Sequence, residues 1–326
     1  MGLSPLEDYN HVVAHQNQFA RFSHNIRPRD ITHPFQFIIK YDGRDYAICL
    51  NLRSELPQLP IHGQYREDKL VRINKTKAKL LEGKLALGAN LNFYAPVIAE
   101  LYGVMGFDWV WIDCEHGSSN DSEAENMIRA AELYDLTPIV RVPNAFPSTL
   151  LRFLDRGAQG LIVPHISNKS EAEAVAQASH YYPLGDRSSA TGGRTNRLGA
   201  GLAPSEYYEA ANKETLVITM IETPEAVENV REIAAVPGVD AVLVGSSDLT
   251  QAMGMPTGDK VDEAIAEVIK GAKAEGKIVG VAGAGMTISN IPRFKHFAQQ
   301  GVQLLSVGAQ ELIKQSGDEF LREMNN

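Results

Sequence analysis

The stretch Leu216–Thr250, "LVITMIETPEAVENVREIAAVPGVDAVLVGSSDLT", decides the fold. Two short apolar runs, at 216–222 and 241–246, enclose one amphipathic stretch opened by Pro224. Runs that are apolar throughout mark strands buried on both faces, and a helix between two of them joins them in parallel. Working outward, the same unit recurs in both directions: "LALGANL" (85–91), "WVWIDCE" (109–115), "TPIVRVP" (137–143), "GLIVPHI" (160–166), "KIVGVAG" (277–283) and "LLSVGAQ" (304–310). Eight such strands alternating with helices predict an α/β fold, a (β/α)8 TIM barrel over residues 81–326. An open nucleotide-binding sheet is disfavoured, because no Gly-x-Gly-x-x-Gly follows the first strand and no Gly-Lys-Ser/Thr occurs.

Residues 1–80 read as an N-terminal extension. "PFQFIIKYDGRDYAICLNLR" places two β-rich runs around Asp42-Gly43, a hairpin signature, and "REDKLVRINKTKAKLLEGK" reads as a basic helix. Five of the nine histidines (His11, His15, His24, His33, His62) lie in this region without metal-ligand spacing. The chain has 326 residues, 44% of them hydrophobic, so it can bury a large core. No apolar window is long enough to span a membrane and the start lacks a signal-peptide pattern, so a cytoplasmic location without a membrane partner is expected. The net charge of -9 is dispersed, with no basic cluster, and nucleic acid is not an expected partner. Cys49 and Cys114 alone exclude a disulfide framework or a thiolate metal site.

In such a barrel the active site sits at the carboxyl ends of the strands. Five consecutive strands carry titratable or polar residues there: Asp113, Glu115 and His116; Arg141; His165; Glu222; and Ser246, Ser247 and Asp248. Each has a bland reading as a helix cap, a salt-bridge partner or a core histidine, but capping alone would not leave the other strand ends bare. Glu222 and Asp248 are oxygen donors suited to a hard divalent cation, Mg²⁺ or Mn²⁺, with positions left for a 2-oxo acid. Arg141 can stabilise an enolate oxygen, and His116 can act as acid or base with Asp113 or Asp155 orienting its ring. The set suits an aldolase, a decarboxylase or a close relative. One connection, "YYPLGDRSSATGGRTNRLGAGLAPSEYYEAANKET", is far longer than an ordinary loop and reads as functional.

"GFDWVWIDCEHG", "PIVRVP", "LDRGAQGLIVP", "YYPLGDRS" and "MIETPEAVENVREIAAVPGVDAVLVGSSDLTQAMG" resemble, in order over roughly residues 85–315, the signatures of the HpcH/HpaI aldolase family. The resemblance implies a homo-oligomeric barrel, commonly a hexamer, that acts on oxaloacetate or pyruvate. It implies a divalent metal on Glu222 and Asp248, enolate stabilisation by Arg141, and His116 as acid/base assisted by Asp113 and Asp155. The backbone around Ser246 and Ser247 would hold the substrate carboxylate. The chain departs from the usual pattern at Met220 and at His165 in "VPH". An imidazole there is similar to that of a fungal member that decarboxylates oxaloacetate to a pyruvate enolate and adds it to a 2-pyrone. That member also uses a tyrosine after the long loop, for which Tyr207 is the match and Tyr208 the other choice. The expected function is therefore oxaloacetate decarboxylation with C–C bond formation. Ordinary retro-aldol cleavage of a 4-hydroxy-2-oxo acid is the alternative, and a catalytically inactive binding barrel is the reading from another class.

Overall fold

Alternation along the barrel strands explains the architecture. In the computed structural model, which describes residues 35–41, 44–50 and 71–325 except 258 and 284, eight strands form a closed parallel barrel. They are β3 (Ala86–Leu91), β4 (Trp109–Asp113), β5 (Thr137–Arg141), β6 (Gly160–Val163), β7 (Leu216–Ile221), β8 (Ala241–Gly245), β9 (Ile278–Ala282) and β10 (Leu304–Gly308). β10 closes the ring by pairing with β3. All eight lie within the runs expected from the sequence.

Odd and even positions separate into two apolar layers. Trp109, Trp111, Ile139, Ile218 and Leu243 belong to a cluster inside the barrel, whereas Val110, Ile112, Val140, Val217 and Val242 pack with the surrounding helices. This period of two carries past the apolar residues, so Asp113, Arg141 and Glu222 continue the inward row at the carboxyl end. Trp109 and Trp111 are stacked, with ring centroids 6.1 Å apart, and fill the barrel below that row. Gly88 on β3 makes the room: a Cβ there would lie 2.3 Å from Trp109 Cε2.

The helix Lys75–Leu81 puts Leu80 into the interior cluster. Asn74 caps it by accepting from Lys77 N–H at 2.8 Å, and its Nδ2 donates to the carbonyls of Gln159 and Glu214. The chain divides into compact units between Arg66 and Glu67, so this helix, grouped from sequence with the extension, is bonded into the barrel unit. In the other unit, β1 (Phe35–Tyr41) and β2 (Arg44–Leu50) pair antiparallel. Tyr41 opposes Arg44, so the connection is two residues long, as the hairpin signature requires. The turn residues themselves, the start of the expected helix and the five N-terminal histidines lie outside the described residues. No described helix is long and apolar enough to cross a membrane.

Candidate active site

Asp113 and Arg141 are register partners at the ends of β4 and β5. Asp113 accepts from Arg141 Nε at 2.9 Å and from Nη2 at 2.6 Å, a bidentate pair that is almost fully buried. Asp113 Oδ1 also accepts the backbone N–H groups of Glu115 and His116, at 3.1 and 3.2 Å. Glu115 Oε2 lies 3.1 Å from Arg141 Nη1, and the guanidinium carbon sits 5.1 Å from the Trp111 ring centroid. Burial opposes the arginine's charge, but Asp113, Glu115 and Glu222 together raise its pKa above the ordinary value. Asp113 thus orients Arg141. The expectation that it orients the His116 ring is corrected: side-by-side inward positions on neighbouring strands direct its oxygens to the guanidinium, and it touches His116 through the backbone.

His165 occupies the other side of Glu115. Its ring Nε2 is 3.4 Å from Glu115 Oε1 and its Nδ1 is 3.1 Å from Glu222 Oε1. Its backbone N–H donates to the same Glu222 oxygen at 2.7 Å, and its φ of 59° lies in the left-handed region. A neutral ring can donate to one of these carboxylates, an imidazolium to both. Glu115, a residue without an assigned role in the sequence, is therefore the bridge between Arg141 and His165.

Burial raises the pKa of Glu222, the charge of His165 offsets this in part, and the charges of Glu115 and Asp248 push it higher still. In front of Glu222 stands Gly245, where a Cβ would come within 3.0 Å of Oε2. A buried carboxylate kept open by a glycine, beside a second carboxylate, is a donor set that a divalent cation fits. Among the described residues no group of three or more His, Cys, Asp or Glu side chains is arranged to hold a metal ion.

A cavity of about 450 Å³ joins these parts: His116, Arg141, Ser247 and Asp248 line it, together with Asn90, Trp111, Ser306 and Glu311, which the sequence reading did not name. Asn90, Trp111 and Ser306 could have been found by extending the two-residue alternation inward along β3, β4 and β10. Cys114 carries no chemistry here, since burial first, and then the charge of Asp113, pushes its thiol pKa up to about 12.

Ser246 turns its hydroxyl to the carbonyl of Ala282 at 2.8 Å and is buried, and of Ser246 and Ser247 the latter is the one that lines the cavity; the expectation for both concerned the backbone, which this hydrogen bond leaves open. Two other expectations are corrected. Asp155 ends the helix Pro147–Asp155 and pairs with Arg187 at 2.7 Å, which places it toward the amino ends of the strands and away from His116. Tyr207 lies in the helix Pro204–Glu214 that leads into β7; it is buried, and its hydroxyl bonds Thr195 Oγ1 at 2.8 Å. A helix that returns to the start of a strand cannot present its side chains at that strand's other end. For the same reason the long connection, anchored by Arg187 to Asp155 and by Arg194 to Glu132, lies at the amino-end side.

A family model described as HpcH/HpaI aldolase/citrate lyase matches residues 87–313, which span the barrel and every residue of this site. The chain belongs to the HpcH/HpaI family. It is accordingly a lyase, the class of the family's aldolases. A hydroxypyruvate/pyruvate aldolase from Sagittula stellata is 33% identical over 234 residues, which cover 72% of this chain and 90% of that protein. Among solved structures, a family member from Burkholderia cenocepacia superposes with a TM-score of 0.71 at 27% identity, covering 78% of this chain and all of that one. Macrophomate synthase superposes with a TM-score of 0.68, covering 84% of this chain and 97% of its own. At 24% identity that likeness is one of fold.

Proposed function

We propose that this HpcH/HpaI member makes the enolate of pyruvate by breaking a carbon–carbon bond of a 2-oxo acid, most directly by decarboxylating oxaloacetate, with possible transfer of the enolate to an acceptor. The observation that carries the reading is the guanidinium of Arg141, pinned by Asp113 and Glu115 on the wall of a cavity that Asp248 also lines, with Glu222 beside it. Glu222 and Asp248 would hold the divalent cation, Mg²⁺ or Mn²⁺, which when bound supplies Lewis-acid polarisation of the 2-oxo group.

The chain's own residues supply the rest. As the bond between C3 and the departing carboxylate breaks, its electron pair moves toward the oxygen at C2, and Arg141 is a fixed positive charge for that oxygen. Because Asp113 and Glu115 hold the guanidinium before substrate arrives, little reorganisation accompanies the step. His165, in contact with both Glu115 and Glu222, would move a proton to C3 once carbon dioxide has left. Ser247 and the backbone beside it face the cavity and suit the substrate carboxylate.

Purified protein should consume oxaloacetate, lose that activity in EDTA and regain it with Mg²⁺; turnover that persists without metal would sink the proposal. The second reading is retro-aldol cleavage of a 4-hydroxy-2-oxo acid to pyruvate and an aldehyde. His116 at the cavity favours it, as a base for the 4-hydroxyl, and so does the similarity to a pyruvate aldolase. Supplying oxaloacetate alone, and pyruvate with an aldehyde separately, discriminates the two.

We also infer a homo-oligomer, with a hexamer as the expected size. Val97, Val104 and Met105 on the helix Pro96–Met105, and Ile313, Phe320, Leu321 and Met324 on the helix Ala309–Asn325, are exposed apolar side chains in the single chain. A monomer in light scattering at micromolar concentration would refute this.

A further inference from the structure

We infer that the backbone N–H of His165, held at a left-handed φ, positions the Glu222 carboxylate for its cation, a task separate from that of the imidazole. The inference rests on the cation-binding reading of Glu222 and names what orients that carboxylate before an ion arrives.

β6 and β7 are neighbours in the barrel; His165 stands two residues past the end of β6 and Glu222 one past the end of β7. The N–H of His165 donates to Glu222 Oε1 at 2.7 Å, and the ring Nδ1 lies 3.1 Å from the same oxygen. The two contacts differ in kind. The imidazole is 73% exposed, so water competes for it, whereas the amide is a donor in every protonation state. With Oε1 held, the other oxygen, Oε2, lies on the side of Gly245, where a Cβ would come within 3.0 Å of it. The amide therefore fixes the rotation of the carboxylate, and with it which oxygen faces the opening beside Gly245.

The amide in turn depends on its backbone. Its φ of 59° is uncommon outside glycine; asparagine and histidine tolerate it, and β-branched residues do not. Both flanks are pinned. Val163 is in register with Thr219 of β7, and Ser167 Oγ meets Thr223 Oγ1 at 3.3 Å. Ser167 N–H donates to Glu171 Oε2 at 2.7 Å, and the Ser167 carbonyl accepts from Asn229 Nδ2 at 2.9 Å. Between fixed flanks, a change in φ turns the peptide joining residues 164 and 165 and swings the N–H off Oε1. An uncommon conformation over-determined by its surroundings in this way is characteristic of functional positions.

Mn²⁺ binding by calorimetry on the full chain tests this, with Glu222→Gln as the blank. His165→Gly and His165→Asn lose the imidazole but keep the conformation, so each should bind within threefold of wild type. His165→Val, which disfavours a positive φ, should bind at least tenfold more weakly than His165→Gly. Should the valine variant lack the wild-type far-UV dichroism, His165→Ala takes its place, expected at least threefold weaker than His165→Gly. None of these variants has an imidazole, so differences among them report the amide alone. If His165→Gly binds as weakly as the valine or alanine variant, or if every variant binds like wild type, the inference is overturned while the cation reading of Glu222 stands. If the wild-type protein binds no more Mn²⁺ than Glu222→Gln does, that reading falls and the inference with it.

Discussion

Replacing Asp113 by Asn tests the central assignment of the site. The carboxylate makes two hydrogen bonds to Arg141, at 2.9 and 2.6 Å, and the side chains of the pair are 3% and 9% exposed. Asparagine keeps one acceptor but sets an NH2 group against a guanidinium N–H and leaves the buried arginine without its closest counter-charge. Breaking a buried ion pair from one side costs about 3–5 kcal/mol. Glu115, at 3.1 Å from Nη1, still faces the arginine, so the lower end of that range applies, about 3 kcal/mol. In a barrel of this size that corresponds to a fall in Tm of about 6–10 °C. A displaced Arg141 no longer meets the enolate oxygen, and kcat for oxaloacetate should drop by about 10²–10³. Thermal unfolding and a pH–rate profile read both effects. If Asp113 acts through Arg141, the rate loss persists across pH. A Tm within 2 °C of wild type, or a loss restored simply by moving the pH, would refute the reasoning and return Asp113 to the His116 ring.

Other perturbations follow from the same geometry. Glu222→Gln should abolish Mn²⁺ binding in calorimetry while leaving the far-UV dichroism intact. Because burial, with Glu115 and Asp248, raises the pKa of Glu222 above 4.5, its ionised form is disfavoured in the folded protein. In EDTA, stability should therefore fall as pH rises from 4.5 through that raised value, and Glu222→Gln should flatten this part of the urea-denaturation profile. His165→Ala should lower exchange of the pyruvate C3 protons, followed by NMR in D2O, by about 10²-fold, while consumption of oxaloacetate is reduced less. Gly88→Ala would drive a methyl group to 2.3 Å from Trp109 Cε2 and should cost at least about 1–3 kcal/mol in urea unfolding, with the barrel floor as the site of strain.

The barrel was legible because its strands are buried on both faces: apolar runs such as Leu216–Ile221 leave no other place for themselves than a parallel sheet under helices. The site was legible where chemistry continues a strand's inward row, as at Asp113, Arg141 and Glu222. It failed where placement depends on a helix or on a side-chain rotamer. Asp155 and Tyr207 lie on helices that run back to the amino ends. The pairing of Asp113 with Arg141 rather than with the nearby histidine ring is a matter of strand register, which adjacency in the chain does not express.

The stacked pair beneath the cavity has an optical consequence. Trp109 and Trp111 are the two tryptophans of the whole chain, and the Arg141 guanidinium rests over one of them. All indole emission thus originates directly under the reaction space, next to a cation whose surroundings change when an anion arrives. The native fluorescence of the protein should therefore report occupancy of the cavity, in titrations and stopped-flow mixing without any label.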